Sequence, residues 1–188
     1  MRPLIVTEFI SLDGVMEAPG GEPGYAHSGW VAEYFSDELG QFKGEEQDAA
    51  ETMLLGRRTY ESFYGAWPER SGPMADKINT MEKFVVSASL ETIEWDTAER
   101  LGTPLADAVR ELKARDGGPI LVAGSRTLAQ ALLKDGLVDE LHLQVFPVIL
   151  GSGKRLYPES PDRLNLELVV SRPIENGVQL QTYRPVAA

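Results

Sequence analysis

Hydrophobic and polar positions change rhythm once along this chain. Residues 4–12 form a mostly apolar, β-rich block that predicts a buried strand. Across residues 33–53, apolar side chains recur at Leu39, Phe42, Ala49 and Met53, a helical spacing weakened by Gly40 and Gly44. Residues 52–55 predict a short strand ending at Gly56, and residues 83–87 another, centred on Phe84-Val85-Val86. Thr103-Pro104 reads as a helix N-cap followed by proline at the first helical position. Leu105, Val109 and Leu112 continue that helix, and Gly117-Gly118 closes it. Residues 120–123 (Ile-Leu-Val-Ala) are a strand, and residues 127–134 a helix with Leu128, Ala131 and Leu132 on one face, closed by Gly136.

After Val138 the period falls to two. Leu141, Leu143 and Val145 alternate with His142 and Gln144; Leu164, Leu166, Leu168 and Val170 alternate with Asn165 and Glu167. Val178, Leu180 and Thr182 form a third such run, and Asn176-Gly177 is a hairpin signal before it. Strand–helix alternation followed by consecutive strands implies an α/β domain. Its sheet should be mixed, mostly parallel and flanked by helices, with antiparallel strands at the C-terminal end. There is no internal repeat. The loop-like stretches 17–29 and 65–73 are too short to be linkers, so residues 1–188 read as one domain.

Composition narrows the function. The 188 residues are 43% hydrophobic and 25% charged, which suits a folded domain burying about 70% of its extended surface. Eighteen basic against 29 acidic residues give a net charge of −11. That balance argues against nonspecific binding to nucleic acid or anionic membrane, but not against an anionic cofactor in a locally basic pocket. The absence of cysteine excludes disulfides, thiolate zinc sites and cysteine nucleophiles. His27 and His142 are too far apart for a helical metal pair, so no metal is expected. Glu8 interrupts the first apolar block, and no run approaches the roughly 20 residues that span a bilayer. The expectation is a cytoplasmic protein.

Two glycine turns sit where a strand gives way to a helix: Leu55-Gly56-Arg57-Arg58-Thr59 and Ala123-Gly124-Ser125-Arg126-Thr127-Leu128. In α/β sheets such turns lie at the carboxyl ends of strands, where ligands bind. Glycine lets the backbone approach a phosphate, and the helix start offers free N–H groups. The arginines and hydroxyls add donors suited to phosphate. Neither turn matches a dinucleotide fingerprint or a P-loop. Asp13 is either part of an Asp-Gly turn or an acid placed to supply a proton. Asp37 and Glu38 suit a helix N-terminus. Trp30, Tyr34 and Phe35 could wall a pocket for a flat ring or pack in the core. Glu45, Glu46 and Asp48 read as a solvated helix face, and His142 as pointing away from an apolar strand, exposed or hydrogen-bonded. Gly151-Ser152-Gly153-Lys154 reads as a turn between strands. No Gly-x-Ser-x-Gly elbow is present.

In this order the segments resemble the dihydrofolate reductase-like superfamily, in particular the reductase domain of the bacterial riboflavin-biosynthesis deaminase–reductase. The resemblance rests on Ser11-Leu12-Asp13-Gly14, on Leu55-Gly56-Arg57-Arg58-Thr59-Tyr60-Glu61, and on Lys83-Phe84-Val85-Val86-Ser87. It continues through Leu121-Val122-Ala123-Gly124-Ser125, Val138-Asp139-Glu140-Leu141, and Phe146-Pro147-Val148-Ile149-Leu150-Gly151-Ser152-Gly153. It implies a three-layer α/β fold and NADPH-dependent reduction. By the resemblance, Gly56, Arg57 and Thr59 meet the cofactor phosphates, with Arg57 and Arg58 favouring a 2′-phosphate. Ser87 lies near the adenosine half, and Gly124, Ser125, Arg126, Thr127 and Leu128 wrap the pyrophosphate. Phe9 approaches the nicotinamide, and Asp13, Gly14 and Val15 begin the loop over it. The expected reaction is hydride transfer to a C=N or C=O carbon of a small, pterin- or pyrimidine-like molecule. Asp13, Asp37 or a bound water would supply the proton, Asp13 being the first choice, and Trp30, Tyr34 and Phe35 would wall the pocket. The alternative is an NADP(H)-binding sensor, or an interaction domain with a decayed site. The resemblance also implies a homodimer, for which the terminal strands offer an edge.

Overall fold

The computed structural model describes residues 1–157 and 163–186. Eight strands form one sheet: β1 (Leu4–Ser11), β2 (Thr52–Gly56), β3 (Glu82–Val86), β4 (Ala98–Arg100), β5 (Ile120–Ala123), β6 (Glu140–Phe146), β7 (Asn165–Pro173) and β8 (Gln179–Val186). Their order is β4-β3-β2-β5-β1-β6-β8-β7. The first six run parallel; β8 is antiparallel to β6, and β7 to β8. The turn between β7 and β8 has Asn176 and Gly177 both at positive φ, 57° and 77°, as a tight hairpin turn requires.

Five helices cover the sheet: α1 (Asp37–Ala49), α2 (Arg57–Ala66), α3 (Pro73–Thr80), α4 (Leu105–Ala114) and α5 (Arg126–Lys134). The alternation of β1 separates the layers. Leu4, Val6 and Ile10 pack with Val109 and Leu112 of α4 and with Leu128 and Leu132 of α5. Ile5 packs toward Tyr60 of α2 and Ile78 of α3, and Phe9 toward Leu39 and Phe42 of α1. Helices α4 and α5 therefore lie on one face and α1, α2 and α3 on the other, giving three layers. Central strands are buried on both faces, as the unbroken apolar run Met53-Leu54-Leu55 requires. Each such leucine stabilises the fold by about 1.5–3 kcal/mol relative to exposure.

Several elements differ from the periodicity. The first helix stops at Ala49, and Met53 lies in β2, because Ala50 turns to extended geometry at ψ 143°. Ser36 caps α1, its hydroxyl accepting from the Leu39 amide at 3.2 Å. Pro104 occupies the N-cap of α4 rather than its first turn, and Thr103 provides no side-chain cap. Helix α3 and strand β4 carried no readable period: one is eight residues long, the other a three-residue Ala-Glu-Arg edge. Between them Lys83 is fully buried, donating to the Met81 carbonyl at 2.6 Å and the Thr97 hydroxyl at 2.7 Å. Burial lowers its pKa to about 8.

Candidate functional site

The sheet splits at the carboxyl ends of its central strands. Strand β5 has four residues and β1 has eight. Their pairing ends at Thr7 opposite Ala123, and β2 pairs with β5 only at Thr52 and Met53. Beyond these points the three strands separate, and the two glycine turns close the opening. The Gly56 amide donates to Ser125 Oγ at 2.8 Å, and Ser125 Oγ donates to Thr59 Oγ1 at 2.8 Å. A Cβ on Gly56 would lie 3.3 Å from Ser125 Oγ, and one on Gly124 would lie 3.5 Å from Thr59. Gly124 and Ser125 are both left-handed, at φ 62° and 65°. A non-glycine residue in that region costs energy and persists where its surroundings enforce it. Neither α2 nor α5 has a side-chain cap, which leaves the N–H groups of their first turns without a capping side chain.

The cationic groups surround this point. Arg57 and Arg58 are exposed on the first turn of α2, Arg57 pairing with Glu61 at 3.0 Å. Arg126 donates through Nε to the Arg155 carbonyl at 2.9 Å, and Thr127 is exposed. Leu128 is core, so only its backbone faces the opening. Ser87 follows β3 directly, and its hydroxyl accepts from the Ser89 and Leu90 amides, shaping the turn there.

Asp13 is bound on every side. Ser11 Oγ donates to it at 2.6 Å, the Leu150 and Gly151 amides at 3.1 and 2.9 Å, and Arg155 Nη2 at 3.3 Å. The Ser11 bond leads these effects and, with the amides, outweighs partial burial, holding the carboxyl at about 2. These contacts fasten the loop after β1 to residues 150–155. Gly14 turns that loop at φ 78°, and Val15 is fully buried, so its side chain cannot face a ligand. Asp37 is exposed on the first turn of α1.

The aromatic residues divide. Phe9 and Trp30 stand edge-on to Phe146, with ring centroids 5.4 and 5.2 Å away, and Tyr34 lies 5.9 Å from it. Trp30 is buried and donates to the Glu17 carbonyl at 2.9 Å, so it is a packing residue behind the wall rather than its surface. Phe35 is 52% exposed.

A line of polar groups runs beneath α1. Lys43 Nζ lies 2.7 Å from Thr7 Oγ1, 2.5 Å from Glu46 Oε2 and 5.3 Å from the Phe9 ring centre. Glu46 Oε1 lies 2.5 Å from His142 Nδ1, and His142 Nε2 lies 3.1 Å from Glu140 Oε2. Glu140 Oε1 accepts from Arg184 at 2.7 Å. Glu46 is only 5% exposed, so the solvated face expected there is corrected. Of the two expectations for His142, exposed or hydrogen-bonded, the second holds: both ring nitrogens are paired, and α1 lies over that side of β6. Burial pulls His142 toward neutrality, but the two carboxylates outweigh it and raise its pKa. Burial pushes Glu46 up, and Lys43 with His142 brings it below the usual carboxylate value. On the opposite face, Glu8 is buried, and one of its carboxyl oxygens has no partner among the described residues. Burial raises its pKa well above the ordinary value against the pull of Lys43.

The sequence profile of the RibD C-terminal domain family matches residues 2–180. The chain belongs to that family. It is 28% identical to the protein YyaP of Bacillus subtilis over 182 residues, covering 94% of this chain and 92% of that one. It is 27% identical to YwjB of the same organism over 190 residues, with 97% and 98% covered. The fold is shared with a riboflavin-biosynthesis protein of Shewanella sp. PV-4, at TM-score 0.77 and 21% identity, covering 99% and 100% of the chains. It is shared too with a deaminase/5-amino-6-(5-phosphoribosylamino)uracil reductase of Thermotoga maritima, at TM-score 0.68 and 17% identity. This chain covers 57% of that longer protein and is itself 98% covered.

Within this RibD C-terminal domain, Gly56, Thr59, Gly124 and Ser125 come together as the two-turn reading anticipated, with Arg57, Arg58 and Arg126 around them. What the reading missed is the line through Lys43, Glu46 and His142. Its signal was present: Lys43 and Glu46 one helical turn apart, with His142 alone in an apolar alternation. Only the packing of α1 on β6 joins them.

Proposed function

We propose that this RibD C-terminal domain is an NADPH-dependent reductase acting on a C=N or C=O group of a small, pyrimidine- or pterin-like heterocycle. The observation that carries this reading is the meeting of the Gly56 and Gly124 turns at Ser125 Oγ. A Cβ would fill the cradle at Gly56, two uncapped helix starts meet there, and arginines flank it. These features suit a dinucleotide with two phosphate regions. Gly56, Thr59, Gly124, Ser125, Arg126 and Thr127 would hold the pyrophosphate, and Arg57 with Arg58 the 2′-phosphate. Ser87 would border the adenosine. The bound cofactor supplies a hydride. Along β1 the parallel pattern directs the Phe9 N–H and C=O toward the gap left by β5, a pair suited to a carboxamide. Gly14 would turn the loop that shields the site from water. A second copy of this chain is the partner proposed for the exposed edge at β7.

Melting with NADPH, with NADH and without cofactor tests the reading. NADPH at 100 times its Kd should stabilise by about 2.7 kcal/mol, several degrees in Tm. NADH should give less, and Arg57→Ala should narrow the difference. No shift with either nucleotide overturns the proposal. NADPH oxidation across a pterin and pyrimidine panel separates an enzyme from a sensor.

A further inference from the structure

Reducing a C=N or C=O bond by hydride leaves an electron pair on the heteroatom, and that atom needs a proton. Asp13 accepts from four donors that tie its loop down, and Asp37 is exposed on the first turn of α1. A further source of the proton lies beneath α1.

We propose that Lys43 is the proton donor of this reduction, and that Glu46 and His142 form the line that recharges it from solvent at Glu140. The proposal rests on the reductase reading above. Three observations carry it. First, the contacts are continuous: Lys43 Nζ to Glu46 at 2.5 Å, Glu46 to His142 at 2.5 Å, and His142 to Glu140 at 3.1 Å. Glu140 is a quarter exposed and reaches the surface arginine Arg184. Second, the inner end is at the right place. Lys43 stands over Phe9, just past the point where β1 loses β5. Third, a recognition group beside it is unspent. Gln144 pairs with Phe9 in register, is 1% exposed, and its Nε2 has no partner among the described residues. A buried N–H₂ without an acceptor is costly, and a carbonyl or ring nitrogen of a heterocycle would satisfy it. Stability does not account for the line. A buried ion pair is often no better than an apolar replacement.

The balance is simple. As the substrate carbon gains the hydride, its π pair moves to the heteroatom. The Nζ–H bond of Lys43 breaks and a heteroatom–H bond forms. Lys43, now a neutral amine, takes a proton from His142 through the Glu46 carboxylate. His142, left with its proton on Nε2, turns its ring so that the vacated nitrogen takes a proton from solvent on the Glu140 side. Oxidised cofactor and reduced substrate leave, and one solvent proton has been consumed. The groups facing His142 are Glu46, Lys43 and Phe42 of α1, Thr7 of β1, Glu140 of β6, and Thr182 and Arg184 of β8. Burial pulls its pKa down and both carboxylates outweigh that, so the line keeps its proton to higher pH than a free imidazole would and empties as pH rises.

Four variants test this on the acceptor the wild type reduces fastest in the pterin and pyrimidine panel. Lys43→Arg keeps the charge and the Glu46 pair but does not release a proton near neutrality. It should retain the NADPH melting shift and lose on the order of 100-fold in kcat. Lys43→Met should lose as much. His142→Gln and Glu46→Gln should remove the alkaline fall in kcat that the wild type shows. Without any cofactor, an NMR titration should place the His142 ring pKa above the ordinary imidazole value. Glu46→Gln should bring it down. Wild-type kcat in Lys43→Arg, or a His142 pKa unmoved by Glu46→Gln, overturns the proposal. Absence of an NADPH shift in the wild type overturns instead the reductase reading on which it depends.

Discussion

At the scale of single residues, one carboxylate is a clasp. Asp13 joins the loop after β1 to the turn at 150–151 through two amides and Arg155. Its folded pKa, about 2, lies below the ordinary 3.8. The stability it contributes is therefore complete above the ordinary value and is lost as pH falls through about 2. Asp13→Asn should lower the urea midpoint at neutral pH, and the gap to wild type should shrink between about pH 4 and 2. A gap constant through that range would count against the clasp. Turnover loss in this variant, where present, should follow weakened cofactor binding and leave the pH profile in place. Two roles share one local pattern here. An Asp at a strand end followed by glycine has one sequence signature for two roles, and only the donors around it, all from 137 or more residues away except Ser11, separate them.

At the scale of elements, apolar periodicity located most strands and helices because burial itself is periodic. The β6 run was legible for that reason, and Ile120–Ala123 as a short block buried on both faces, whereas β7 alternates in sequence but lies exposed along nearly its whole length. The glycine turns were legible as well, since a strand end, a glycine and a helix start leave a local mark. What was hidden is the underside of α1. Glu46 sits among Glu45 and Asp48 and differs from them only in the direction it points. Direction depends on which strand the helix covers, and no local pattern encodes that. The 150–155 turn makes a comparable point about glycine. Gly153 has φ 119°, and a Cβ there would meet Val15 Cγ1 at 2.7 Å and the Tyr25 hydroxyl at 2.9 Å. Gly153→Ala should cost about 1–3 kcal/mol, read as a drop of several degrees in Tm. An alanine variant melting with the wild type would show that this turn moves freely.

At the scale of the molecule, the sheet ends in an unusual edge. Leu168, Val169 and Val170 of β7 are each at least 40% exposed, as are neighbouring Leu164 and Val186. A long apolar edge strand is an aggregation hazard unless something covers it. A second copy is the proposed cover. Light scattering should give twice the chain mass for the wild type, and half that value for a Leu168→Lys/Val170→Lys variant with unchanged circular dichroism. A monomeric wild type would remove the partner.

The short length of β5 has an evolutionary consequence. Where β1 outruns it, the groups left facing the gap at Phe9 belong to the main chain. Every residue type except proline offers the same N–H and C=O there. A ligand gripped at that point is held by something point mutation can scarcely alter, while Lys43, Gln144 and the aromatic wall remain free to vary. Such a division lets one scaffold keep its reagent and change its target, so relatives with this gap should diverge in what they transform before they diverge in what they consume.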